Sequence, residues 1–509
     1  MKQEHHSFLA FDSVEFSYPD SVFPVLKDLS FDLRSGWTGI CGENGAGKTT
    51  LLRLAAGLLK PSRGIIKRPE QVWYCPQRTD EPPDSWEDFF FSPDNEAGRL
   101  MDILKIGYTW TERWDTLSHG ERKRLQIALA LWRNPAMLGI DEPANHLDRD
   151  AKALIGAALS RYGGIGLLVS HDRQLLDRLC TRCLFLQDRG RAVIRPGGVS
   201  KGLEEDQREQ LEKARTRNRI QNERDRLAAE ADKRRRLAES ARNRLSKKRI
   251  GPQDRDARAK INLAKLSGKD AVGANLYKRI ENRIDKIEAS LDRAGTRHES
   301  PAGITLRGTV SQKGWIFSLE EGCLYLGEER RLCFPALVMT PQDRIALTGP
   351  NGSGKSTLIR HILQNAGIPY LYLPQEPDIN ESKAVLREVL GEQEKIKGEI
   401  LSRFSRLGSD PRSLLQSALP SPGEVRKLLI ARGVFQNPAF IVMDEPTNHL
   451  DLRSVRLLEE TMKEYLGALL LVSHDEQFLA QLTEKEWRIP AGDGRLQVIC
   501  RPSLARSRK

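Results

Sequence analysis

Gly42-Glu43-Asn44-Gly45-Ala46-Gly47-Lys48-Thr49-Thr50 and Gly349-Pro350-Asn351-Gly352-Ser353-Gly354-Lys355-Ser356-Thr357 both fit G-x-x-x-x-G-K-[ST] within one chain of 509 residues. Glycines let backbone N–H groups turn inward around phosphate oxygens, the lysine reaches the outer phosphates, and the Thr49 or Ser356 hydroxyl is a magnesium ligand. Each loop follows an apolar, strand-like run, Trp37 to Cys41 and Arg344 to Thr348, and precedes a helical pattern. One match is weak; two in the same context predict two bound nucleotides.

The repeat reaches well beyond the loops. Lys48 and Lys355 lie 307 positions apart, as do Tyr18 and Tyr325. Ser118 and Ser421, Asp141 and Asp444, Asp148 and Asp451, and His171 and His474 are all 303 apart. A nearly constant offset over such a span means a duplicated domain. The expected halves are residues 1–199 and 301–509, with 200–300 between them, and each half has the length of an ordinary domain.

Composition sets the class. A hydrophobic content of 39% supports packed cores, while 29% charged residues and a mean hydropathy of −0.50 exclude a membrane body. No window reaches the ~18 consecutive apolar residues of a spanning helix. Met1 to Ala10 lacks an apolar signal core, so a cytoplasmic protein is expected. Seven cysteines, an odd number in a long chain, predict reduced thiols. Cys180 and Cys183 have zinc-ligand spacing, but no second pair accompanies them.

These residues, taken in order, resemble the ATP-binding cassette family. The first half carries Tyr18, the loop at 42–49, Gln77, Ser118-His119-Gly120-Glu121, Asp141-Glu142-Pro143, Asp148 and His171. The second carries Tyr325, the loop at 349–356, Gln375, Ser421-Pro422-Gly423-Glu424, Asp444-Glu445-Pro446, Asp451 and His474. The implied fold is α/β, two P-loop ATP-binding cassette domains joined by a long α-helical hairpin linker. Asp141 and Asp444 follow buried-strand runs and hold the magnesium shell, and Glu142 and Glu445 polarise the attacking water. His171 and His474 are placed to contact the γ-phosphate. By resemblance, Gln77 and Gln375 sense magnesium, and Tyr18 and Tyr325 are candidates for stacking on adenine.

Around the two ATP molecules and Mg²⁺, the expected cradle comprises Gly42, Asn44, Gly45, Gly47, Lys48, Thr49 and Thr50, and Gly349, Asn351, Gly352, Gly354, Lys355, Ser356 and Thr357. Ser118 with Gly120 and Ser421 with Gly423 complete it, opening helices expected from Glu121 and Glu424. In the family this serine contacts ATP held by the other domain, which pairs Lys48 with Ser421 and Lys355 with Ser118. Both signatures depart from Ser-Gly-Gly-Gln at His119, Pro422, Glu121 and Glu424, Pro420 replaces the usual leucine, and Ala144 stands opposite Thr447.

Charge is concentrated between the halves. Residues 201–300 hold 28 Lys or Arg against 18 Asp or Glu, a balance of +10 out of +12, and 233–269 hold 14 against 3. Lys201 to Lys248 lacks proline and is rich in helix formers; Gly251-Pro252 breaks it. Leu276, Ile280, Ile284, Ile287 and Leu291 form a return stripe suited to Leu203, Leu211, Ile220 and Leu227. Excess cations on such a probe predict contact with RNA phosphates, and only Tyr277 is available for base stacking. A solvated helix without a partner or a nuclear-localisation run are the plainer readings.

Tandem cassettes with a basic linker resemble the F subfamily, and residues 256–270 resemble linkers of its lincosamide, streptogramin A and pleuromutilin protection type. The resemblance implies an ATPase, monomeric with paired cassettes, acting on ribosomal RNA and P-site tRNA near the peptidyl-transferase centre. Only 41 residues separate Gln77 from Ser118, too few for an inserted arm, and no basic extension follows Arg501 to Lys509. A general translation factor, a transporter's motor subunit and a DNA-repair ATPase are the alternatives.

Overall fold

A computed structural model gives the fold. It describes residues 8–244, 280, 283–287 and 314–500, apart from 20–22, 146, 188–189, 328–329, 376–378, 410, 412–413, 415–420, 449, 491 and 493. The chain divides into two compact units, Met1–Gly202 with Ser300–Lys509, and Leu203–Glu299.

The larger unit holds two copies of one α/β design. In the first, six strands lie in the order Val72–Cys75, Met137–Asp141, Ile165–Val169, Gly36–Gly42, Cys180–Leu186, Ala192–Pro196. The second repeats it as Tyr370–Leu373, Phe440–Asp444, Ala468–Val472, Arg344–Thr348, Lys485–Arg488, Gln497–Cys500. In both sheets every pairing is parallel except that of the last strand. Parallel strands are covered on both faces, which is why Met137–Asp141, Ile165–Val169, Phe440–Asp444 and Ala468–Val472 are buried at every position. The carboxyl ends of the central strands then form the rim where α/β sheets bind ligands.

A smaller antiparallel layer packs on each sheet. Leu9–Phe16 pairs with Leu26–Leu33 and Arg63–Lys67, alternating so that Leu9, Phe11, Val14 and Phe16 join the core. The second half has two separate pairs, Phe317–Leu319 with Leu337–Met339 and Gly322–Leu326 with Arg330–Phe334. Cys323 and Cys333 face each other across the latter pair and form a disulfide. This corrects the expectation of reduced thiols throughout: an odd count says nothing about two cysteines that strand register sets side by side. Cys41, Cys75, Cys180 and Cys183 are free and buried.

The described part of the smaller unit is largely one helix, Val199–Arg244, whose 46 residues span roughly 70 Å. Its sequence offers little apolar surface, and ion pairs such as Arg234 with Glu230 at 2.6 Å line its face. Arg283 donates to Glu223 at 2.9 Å, joining the return segment to the helix. Ile280, Ile284, Ile287, Ile220 and Leu227 are partly buried, as the stripe predicts. Leu276, Leu291, the side chain of Leu211, the 256–270 segment and the tip lie outside the described residues. Among the described residues no helix is long and apolar enough to cross a membrane.

The cysteine pairing is directly measurable. Alkylation of the unfolded chain without reductant is expected to leave Cys323 and Cys333 unlabelled, and reduction to lower stability by about 1–3 kcal/mol for this short loop. The Cys323→Ser, Cys333→Ser variant should lose that sensitivity; full labelling without reductant would contradict the pairing.

Candidate active site

Both phosphate loops leave a strand end and turn directly into a helix, Lys48–Ala55 and Lys355–Asn365. Gly47 and Gly354 sit at those turns with φ of 94° and 95°. A Cβ at either would come within 2.8 Å of Val25 or Leu326, so glycine is required for fit as well as for backbone. The Lys48 ammonium donates to the carbonyls of Gly42 at 2.9 Å and Glu43 at 3.0 Å, and Lys355 to those of Gly349 and Pro350 at 2.8 and 2.9 Å. Burial pushes both lysines below their ordinary pKa, while Glu142 and Glu445 respectively pull them back up.

Next to each lysine lies a carboxylate pair. Asp141 and Asp444 end their strands, and burial raises both pKa values. Ser356 donates to Asp444 at 2.9 Å, and Thr49 hydrogen-bonds Asp141, whose buried Oδ1 has no hydrogen-bond partner. A buried anion with an unused oxygen beside a hydroxyl fits a hydrated Mg²⁺, which would be held by Thr49 and Asp141 in one half and Ser356 and Asp444 in the other.

The following residue steps into left-handed backbone, φ 46° at Glu142 and 50° at Glu445. That step aims each carboxylate inward, where Glu142 is 7% and Glu445 4% exposed. Burial raises both to about 7. Each accepts the backbone N–H of the histidine predicted to read the γ-phosphate, His171 at 3.2 Å and His474 at 3.3 Å. The ring Nε2 atoms lie 3.3 Å from Glu142 and 3.5 Å from Glu445. Burial first, then the nearby Lys48 or Lys355, lowers His171 to about 3 and His474 to about 4. Both imidazoles are therefore neutral near pH 7, with one N–H donor each.

A cavity of about 530 Å³ gathers Tyr325, Lys355, Thr357, Gln375, Asp444 and Glu445. Tyr325 is exposed and carries Arg331 at 5.0 Å from its ring centroid, while the Tyr18 hydroxyl is tied to Thr50 Oγ1 at 3.1 Å. Ser118 is not among the residues lining that cavity. The helices of the two signatures begin at His119 and Pro422, not at the glutamates. Ser118 and Ser421 are their N-caps, and Glu121 and Glu424 fold back in reciprocal capping boxes, each accepting from serine N–H and Oγ at 2.8 Å. The glutamates thus occupy the anion-attracting end that the family resemblance assigned to phosphate.

Two residues escaped the sequence reading. Lys123, 1% exposed, donates to the carbonyls of Pro76 at 2.7 Å, Gln77 at 3.4 Å and Asp141 at 3.3 Å, and burial lowers it to about 8. At the same offset Arg426 binds the carbonyls of Glu445, Asn448, Pro374 and Gln375. Each cation clasps the glutamine segment to the end of the aspartate-bearing strand. The visible signal was a cation inside an apolar helix face, repeated 303 residues on.

The halves also meet at these sites. Asp148 and Asp451 cap helices by accepting from Ala151 at 2.9 Å and Ser454 at 2.8 Å. Asp451 acts electrostatically on Lys48 and His171, and Asp148 on Lys355 and His474. Arg173 forms a buried pair with Glu459 at 2.9 Å, and Arg149 meets Glu476 at 2.8 Å. Arg453 reaches Glu43 of the first phosphate loop at 2.9 Å.

The family described as ABC transporter matches residues 26–145. The chain is 29% identical to the tylosin resistance ATP-binding protein TlrC of Streptomyces fradiae, over 97% of this chain and 99% of that protein. It is 28% identical to the ribosome protection protein VmlR of Bacillus subtilis, covering 92% and 85%. It is also 28% identical to the energy-dependent translational throttle protein EttA of Escherichia coli O6:H1, covering 90% and 88%. In fold it is similar to archaeal ribosome recycling factor aABCE1, with a TM-score of 0.59, 16% identity and 96% and 90% coverage.

The buried glutamates carry a stability consequence. A carboxyl whose folded pKa is about 7 against an ordinary 4.5 costs nothing below pH 4.5, progressively more up to pH 7, and its full penalty above. Glu142→Gln or Glu445→Gln should therefore stabilise the nucleotide-free protein above pH 7, each by on the order of 1–3 kcal/mol. The gain should vanish toward pH 4.5 in denaturant titrations; a loss of stability at pH 8 would contradict the burial argument.

Proposed function

We propose, for a chain that belongs to the ATP-binding cassette family in its F subfamily, that it hydrolyses ATP to ADP and phosphate at two paired sites and acts on the ribosome. Residues 1–199 and 301–509 would be the cassettes of a monomer, and 200–300 the basic linker. The observation that carries the ATPase reading is the duplicated placement of a buried glutamate beside a magnesium-type aspartate, a neutral histidine and a phosphate-loop lysine. Glu142 or Glu445 orients and takes a proton from water, His171 or His474 donates to the terminal phosphate, and Lys48 or Lys355 neutralises it. Mg²⁺, held as above, supplies charge neutralisation. Ser421 completes the Lys48 site and Ser118 the Lys355 site, each once its capping glutamate yields the helix end to phosphate.

The ribosomal part rests on the names of the relatives and on the charge of residues 201–300. Ribosomal RNA phosphates and P-site tRNA are the proposed ligands of the linker, in the cytoplasm, near the peptidyl-transferase centre. The 256–270 segment supports displacement of lincosamide, streptogramin A or pleuromutilin drugs. A general translation factor without a drug role is the alternative that similarity to the throttle protein favours.

The Glu142→Gln, Glu445→Gln protein should bind ATP, turn over about 10²–10⁴-fold more slowly and co-sediment with ribosomes. Wild-type turnover would defeat the assignment of the glutamates. Expression of the wild-type chain in a susceptible bacterium should raise inhibitory concentrations of at least one of the three drug classes. No change in any of them leaves the translation-factor reading.

A further inference from the structure

The two nucleotide sites are not chemically alike, and one difference between them comes from a residue of the helix Arg149–Leu159. Lys152 stands four residues after its capping aspartate Asp148; the residue four after Asp451 is Val455, buried and apolar. The Lys152 side chain lines a narrow space between the halves, with Ala144 and Leu147 of the first and Asn351, Gln375, Glu445 and His474 of the second. Those four are the residues expected around the terminal phosphate of the second site. Asn351 belongs to its phosphate loop and lies 3.2 Å from His474 Nε2.

We propose that Lys152 is a catalytic-site cation supplied by the first half, binding the terminal phosphate of the nucleotide in the second site, with no counterpart in the first. The inference rests on the ATP reading above. Lys152 is only 21% exposed and is held at that position by Asp172 Oδ2 at 2.8 Å. An ammonium has three donors, so this tether leaves two for phosphate oxygens. Its field already reaches the site, drawing Glu445 back from the rise caused by burial and holding His474 down. The first site receives Arg453 instead, which is spent on Glu43 of the loop itself at 2.9 Å. The counterparts of that pair are Asp150 and Pro350, which cannot bond in the same way. One site is thus latched at its loop, and the other is given a cation at the reacting end.

The test compares a non-hydrolysable ATP analogue with ADP, both with Mg²⁺, on the full chain carrying Lys48→Ala so that the second site is read. Lys152→Met should weaken the analogue by about tenfold or more and ADP by less than about twofold, because only the former carries the terminal phosphate. Lys152→Arg should retain analogue affinity within about threefold. In a Lys355→Ala background, which reads the first site, Lys152→Met should leave analogue affinity unchanged. Equal weakening of both nucleotides, no weakening of the analogue, or an equal loss at the first site would overturn the proposal. The Lys48→Ala, Lys355→Ala chain tests the underlying reading separately: if it binds nucleotide as wild type does, the two loops are not the sites at all.

Discussion

The larger unit is organised by the need to bury a carboxylate at the end of an apolar strand without losing its charge to the medium. Glu142 and Glu445 lie where no hydrophobic residue would cost as much, in left-handed backbone and under a histidine ring. A lysine and a neutral imidazole adjoin each, and an aspartate of the opposite half acts in turn on that lysine and imidazole. Isolated, such a carboxylate would simply protonate; Lys48 and the His171 N–H at Glu142, and the His474 N–H and then Lys152 at Glu445, limit the rise to about 7. Both sheets, with Met137–Asp141 and Phe440–Asp444 buried at every position, present this cluster at the carboxyl edge.

The second consequence is that the halves depend on each other. Asp148 and Asp451 first cap helices within their own halves, then reach electrostatically to the lysine of the other. Buried Arg173 with Glu459 fixes that approach, since either partner alone would be an uncompensated charge. The contacts are not symmetric. Arg453 with Glu43 and Lys152 beside His474 each occur on one side only, so the duplicated chain carries two different chemical environments in one frame.

Much of this was legible in the sequence because strand and loop constraints are local. Burial on both faces makes Ile165–Val169 and Ala468–Val472 unbroken apolar runs, and glycine at 47 and 354 is dictated by space as well as by left-handed backbone. What escaped the sequence was set by distance in the fold. Lys123 and Arg426 carry no local sign of what they hold, because the carbonyls they bind at Pro76 and Gln375 lie more than 45 residues away. Cys323 and Cys333 pair through strand register, which an odd total of cysteines hides. The capping boxes at Ser118 and Ser421 fit the Ser-x-x-Glu pattern, yet the expectation of phosphate contacts there hid that the glutamates take the same donors.

The central claim, that each nucleotide site is completed by the opposite half, is tested most directly by a double-mutant cycle on ATP affinity. Lys48→Ala combined with Ser421→Ala should be strongly non-additive, with an interaction energy on the order of 1 kcal/mol or more. Lys48→Ala combined with Ser118→Ala should be additive. Additivity for Lys48 with Ser421 beside coupling for Lys48 with Ser118 would mean that each half builds its own site, and would contradict the account.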